Sequence, residues 1–91
     1  MTVTHRVAIS PNAVARQVGD ETVILHLSSG TYFGLDAVGA RFWQLMEEGR
    51  NLGQICNVLV EEYDVSREKL EHDIMRLVED LSAKELITNL E

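Results

Sequence analysis

The sequence predicts a small α+β fold of the winged helix-turn-helix type, a three-stranded antiparallel β-sheet followed by three α-helices. Three observations carry that prediction. Side chains alternate with a period of two from Ala13 to Leu35, the period changes to helical spacing after Asp36, and two long amphipathic stretches follow with only a short break between them.

Met1 to Asn12 is polar and aperiodic and holds the only proline, Pro11, so residues 1–12 are expected to be a lead-in whose Val7 and Ile9 dock on the body. Residues 13–91 are then one domain. Val14, Arg16 and Val18 alternate with Ala15 and Gln17, Gly19-Asp20 supplies a two-residue turn, and Thr22 to Leu27 is rich in β-branched and apolar residues, which together spell a hairpin. Ser28-Ser29-Gly30 fits a three-residue loop with the glycine in the left-handed position, and Thr31 to Leu35 forms the third strand. With Leu27 opposite Thr31, Leu25 faces Phe33 and Val23 faces Leu35. That register puts Val23, Leu25, Leu27, Phe33 and Leu35 on one side of the meander and Ile24, His26 and Tyr32 on the other.

Asp36 is a good N-cap for a first helix, with Val38, Phe42, Leu45 and Met46 at helical spacing until Gly49 ends it. Leu52, Ile55, Cys56, Leu59, Val60 and Tyr63 fit the stripe of a second helix without a miss. Ser66 caps a third helix, with Val65 as a hydrophobic staple against Leu70, and Leu70, Ile74, Leu77, Val78 and Leu81 form its buried stripe. In the tail, Leu86, Ile87 and Leu90 suit a short extended piece over one end of the core.

Composition bounds the function. The chain has 91 residues, 45% apolar and 25% charged, with a net charge of −7. That is one small globular domain and excludes a multi-domain enzyme. Residues 1–46 carry three basic and three acidic side chains and residues 47–91 carry five and twelve, so all the net charge lies in the second half. Such a surface repels phosphate backbones and anionic lipid, and a cationic or apolar partner suits it better than nucleic acid or membrane. No apolar run reaches the roughly 20 residues of a membrane span, and no signal-peptide pattern opens the chain, so the expected location is the cytoplasm. The single cysteine, Cys56, has no disulfide partner and reads as a small core residue.

Catalysis and metal binding need convergent groups, and neither pattern stands out. His5, His26 and His72 fall in three separate elements, and Gly30, Gly34 and Gly39 lack the spacing of a phosphate loop. No enzymatic activity and no cofactor are expected. The second and third helices resemble a helix-turn-helix, but the would-be recognition helix, Ser66 to Lys84, carries four basic residues against five acidic ones, where a DNA reader needs a basic stripe. The same parts suit strand addition, in which an extended peptide pairs with an exposed sheet edge. The third strand lies at such an edge. Gly34 lets another backbone approach, and Tyr32 and Phe33 offer aromatic area. An edge strand with one core Phe and one surface Tyr is the plainer reading of those residues, and a winged-helix DNA-binding or protein-assembly module is the alternative function.

The runs "VILHLSSGTYFGLDAVGARFWQLMEEG" and "EEYDVSREKLEHDIMRLVEDLSAKELI" resemble the PqqD-like family, the peptide-recognition domains of systems that modify ribosomally made peptides. The likeness covers Ala13 to about Ile87 and rests on the order of "TYFGL", "VGARFW" and "EEYDV"; "TYFGLD" is most similar to the discrete recognition proteins of lasso-peptide systems. The resemblance implies a non-catalytic adaptor that binds the leader region of a precursor as a strand added to the third strand, in a cleft bounded by the third helix. Carried over by position, one wall is Thr31, Tyr32, Phe33, Gly34 and Leu35, and the other is Leu70, Asp73, Ile74, Arg76 and Leu77. It also implies a separate partner enzyme, a leader peptidase or, in other systems, a cyclase or radical enzyme, and a monomer or weak dimer.

Overall fold

The computed structural model describes residues 7–19 and 21–89. Its elements run β1 (Val7–Ile9), β2 (Ala13–Val18), β3 (Glu21–His26), β4 (Thr31–Leu35), α1 (Ala37–Glu47), α2 (Leu52–Glu62), α3 (Arg67–Ala83) and β5 (Ile87–Asn89). The expected meander and three helices are present, with strands β2, β3 and β4 in that order across an antiparallel sheet. Two short strands are added to the expected list. Val7 pairs with Asn89 and Ile9 with Ile87, so the segment read as a lead-in contributes a strand, and β1 and β5 form a two-stranded sheet of their own. Three residues are too few to show a period, and the partner lies at the far end of the chain, so no local signal marks β1. The extended tail is as expected, with Leu86 and Ile87 buried; Leu90 lies outside the described residues, as does Asp20 of the first turn.

Each helix starts where a capping side chain can satisfy a free amide. The Asp36 carboxylate accepts from Gly39 N at 2.8 Å, and the Ser66 hydroxyl accepts from Lys69 N at 3.2 Å. At α2 the cap is reciprocal: Asn51 Oδ1 accepts from Gln54 N and Gln54 Oε1 accepts from Asn51 N, a capping box that the apolar periodicity alone does not show. Gly49, at φ +84°, ends α1 in the left-handed region. The stripes predicted for the helices meet in one core of Phe42, Leu45, Met46, Leu52, Ile55, Cys56, Leu59, Leu70, Ile74, Val78 and Leu81, joined by Trp43, Ile24, Val7, Leu86 and Ile87. Burial pushes the Cys56 thiol above its ordinary pKa, in keeping with a core role.

The β3–β4 register corrects the expected one. Ile24 pairs with Phe33, Leu25 with Tyr32 and His26 with Thr31, so the hairpin loop is Leu27 to Gly30, four residues instead of three. A slip of one residue exchanges the faces of β3. Ile24, fully buried, and His26, 8% exposed, turn inward with Phe33 and Leu35, while Val23 and Leu25 join Tyr32 and Gly34 on the outer face. Polar chemistry in the loop stabilises this choice. His26 Nδ1 lies 2.9 Å from Ser29 Oγ and accepts from Ser29 N at 3.3 Å, and Ser29 Oγ in turn reaches Thr31 Oγ1 at 3.0 Å and accepts from Thr31 N at 3.3 Å. Gly30 N donates to His26 O at 2.8 Å, with Gly30 at φ +71°. The loop supplies partners for Nδ1 of the buried His, whereas Nε2 has no hydrogen-bond partner among the described residues.

Candidate peptide-binding site

β4 packs mainly on β3 and α1, whereas α3 packs mainly on α2 and β5. The outer edge of β4 is therefore unpaired among the described residues, and the C-terminal end of α3 comes close to it at Phe33. Lys84, the C-cap of α3, ties the two together by placing its ammonium 5.3 Å from the centre of the Phe33 ring, within cation–π range. Nearby, Glu85 Oε1 lies 3.9 Å from the buried His26 Nε2, and Glu85 itself sits at φ +60°, where the chain turns from α3 into β5.

The strand residues expected to form one wall divide by face. Phe33 and Leu35 are half-buried on the inner face, Tyr32 is 64% exposed on the outer one, and Thr31 is held in the loop network. Gly34 is exposed, and a Cβ built there would meet nothing within 4 Å, so in the free protein the site has room for a side chain.

The helix residues divide differently. Leu70 and Ile74, at 3% and 1% exposure, belong to the core and present almost no surface, which corrects their expected place on the cleft wall. They share one core cluster with residues of α1 and α2, and Leu77 lies one side further round the helix. Leu77 is half-buried at its foot, with Asp73 and Arg76 exposed beside it. Asp80 and Lys84 were not among the expected residues, yet they follow Leu77 at three and seven residues and continue the same face. Helical spacing alone was enough signal to find them. A hollow of about 360 Å³ lies along this side of α3, lined by Arg76, Leu77, Glu79 and Asp80.

Charge on this wall is mostly paired within the helix. Lys69 Nζ donates to Asp73 Oδ2 at 3.1 Å and Lys84 Nζ to Asp80 Oδ2 at 3.4 Å. On the opposite flank, Arg67 is bound to Glu71 at 2.7 Å and reaches Asn57 of α2 at 2.6 Å, locking α3 to α2. Among the described residues no three His, Cys, Asp or Glu side chains converge as metal ligands. No helix there is long and apolar enough to cross a membrane.

The arrangement is thus an open strand edge with the C-terminal end of an amphipathic helix held beside it. The sequence profile of the family described as coenzyme PQQ synthesis protein D (PqqD) matches residues 21–87, which takes in β3, β4, all three helices and the start of β5. The chain belongs to the PqqD family. Among solved structures, this PqqD-family chain is similar to TbiB1 in complex with the TbiA(beta) leader peptide, at 45% identity and a TM-score of 0.84 over 88% of this chain and 93% of that one. It is also similar to lasso peptide synthetase B1 complexed with the leader peptide, at 27% identity and a TM-score of 0.84 over 90% of this chain and 96% of that one. No curated protein matches the chain.

Proposed function

We propose that this PqqD-family protein is a non-catalytic adaptor that binds the leader region of a ribosomally made precursor peptide as a strand added to β4, between that edge and α3, and delivers it to a separate processing enzyme. The observation that carries the proposal is its likeness, along nearly its whole length, to two proteins solved with a leader peptide bound. The geometry supplies what strand addition requires: a free edge at Thr31 to Leu35 for main-chain hydrogen bonds, and Phe33, Leu35 and Leu77 for alternate apolar side chains of the guest. Asp73 and Arg76 flank the same space, and Leu70 and Ile74 hold α3 in place from behind. The acidic second half favours this reading over DNA binding, because α3, the helix that would enter a groove, carries more carboxylates than cations.

The test is calorimetric titration with the synthetic leader of the precursor encoded beside this chain. Micromolar or tighter binding that barely responds to added salt is expected, since ladder hydrogen bonds and apolar pockets release few counterions. Absence of leader binding, or a steep salt dependence together with affinity for duplex DNA, would overturn the adaptor in favour of the winged-helix alternative.

A further inference from the structure

Five of the described cations are neutralised by a carboxylate: Arg41, Arg50, Arg67, Lys69 and Lys84. Arg16 and Arg76 have no such partner among the described residues, and they occupy very different places. Arg16 lies on the outer face of β2, across from Val23. Arg76 lies on α3 beside Leu77 and Asp80, along the hollow of about 360 Å³.

Arg76 is unpaired despite having carboxylates within helical reach. Asp73 is three residues before it and Asp80 four residues after it, spacings at which ion pairs normally close. Both are already taken, Asp73 by Lys69 at 3.1 Å and Asp80 by Lys84 at 3.4 Å. Lys84 is held from a second direction by the Phe33 ring. The two lysines thus occupy the aspartates, and Glu79, three residues on and lining the same hollow, makes no ion pair with Arg76, so the guanidinium keeps its five planar donors in an otherwise acidic surface.

A strand added to β4 directs every second side chain toward α3. Apolar ones meet Phe33 and Leu77. At the position beside Leu77 the outer rim is the free Arg76 fork, whose geometry matches a carboxylate bidentately. We infer that Arg76 is a specificity-determining residue that selects an Asp or Glu at one helix-facing position of the bound strand, an inference that rests on the strand-addition reading above. Overall charge and local charge then act on different steps: the acidic surface speeds the approach of a basic peptide, while Arg76 requires one acid at a fixed place within it.

The experiment is a display selection of random extended peptides against the wild-type chain, Arg76→Glu and Gly34→Pro. Wild type is expected to enrich apolar residues with a period of two and an Asp or Glu at one of the same-parity positions. Arg76→Glu is expected to keep the apolar pattern and exchange that acid for Lys or Arg. In a synthetic consensus peptide, Glu→Gln and Arg76→Gln should each weaken binding by about tenfold or more, and the two together no more than either alone. Apolar enrichment without an acid, or an acid that persists in Arg76→Glu, overturns the role of Arg76 and leaves the strand site standing. Enrichment without period two, or identical enrichment by Gly34→Pro, overturns the strand site itself.

Discussion

The two edges of the β2–β3–β4 sheet each lie near a helix, β2 beside α1 and β4 at the C-terminal end of α3, and the two helices differ in how they use their charge. Beside β2, α1 leaves the larger hollow, about 460 Å³, with Ala15, Gln17, Thr22, Arg41, Gln44 and Tyr63 among its walls. There Arg41 is fully engaged, donating through Nε at 3.0 Å and through its terminal nitrogen at 2.8 Å to Glu62 of α2, and to Gln44 at 2.7 Å. Along α3 the hollow is smaller, but the β4 edge carries aromatic surface and Arg76 of α3 is free. A polar group already satisfied within the protein ties elements together, whereas one left unsatisfied beside an open edge is available to a guest.

The comparison breaks first at the core that both edges share. Leu59→Ala removes a fully buried side chain from α2 and should cost about 2 to 5 kcal/mol, a large part of the roughly 5 to 14 kcal/mol expected for a chain of this size. Leu77→Ala, half-buried at the cleft, should cost less stability than Leu59→Ala and more leader affinity. Denaturant midpoints and calorimetry on both variants measure this; equal losses of stability would place Leu77 in the core proper.

Next comes the edge itself. Gly34→Pro withdraws an amide hydrogen from β4 and should weaken leader binding by at least about tenfold, or 1.4 kcal/mol. Gly34→Val should leave the melting temperature close to wild type, because a Cβ at this position meets open space. Unchanged affinity in both would move the site off β4. A smaller effect is expected in the loop that determines the register: Ser29→Ala removes the hydroxyl shared by His26 and Thr31 and should cost about 0.5 to 1.5 kcal/mol by chemical denaturation.

The smallest effect on stability separates the two arginines. Arg41→Gln should lower the melting temperature slightly and leave peptide affinity alone, and Arg76→Gln should do the reverse. Arg41 holds the Glu62 carboxyl below its ordinary range by hydrogen bonds and charge. A carboxyl so depressed contributes stability that is complete above the unfolded value of about 4.3 and disappears as pH falls through the folded one. Acid unfolding of wild type and Arg41→Gln should therefore differ at neutral pH and converge in strong acid, with the neutral-pH difference shrinking in high salt.

Much of the fold could be read locally. Asp36 and Ser66 announce their helices because a short acceptor side chain before an apolar period is itself the cap, and Leu52 to Tyr63 shows its buried stripe because a helix returns to the same face every three to four residues. The edge position of β4 was legible for a related reason: "TYFGL" at the end of a meander is an edge by topology alone. The register was not, because Ser28-Ser29-Gly30 supports a three-residue loop as readily as Leu27-Ser28-Ser29-Gly30 supports one of four. The choice depended on whether His26 could be buried with partners.

By itself, then, the sequence determined the order of the meander and helices, the caps of α1 and α3, the core stripes of α1, α2 and α3, and the acidic balance that makes DNA a poor partner, since each of these depends on neighbours a few residues apart. Only the tertiary structure decided what depends on distant ones. It paired Val7–Ile9 with Ile87–Asn89 and turned Ile24 and His26 inward. It also brought Lys84 over Phe33 while Lys69 and Lys84 occupied the aspartates around Arg76. Whether a guanidinium is free is a property of every carboxylate within its reach, and rotamers and packing settle which of several equally spaced partners is taken.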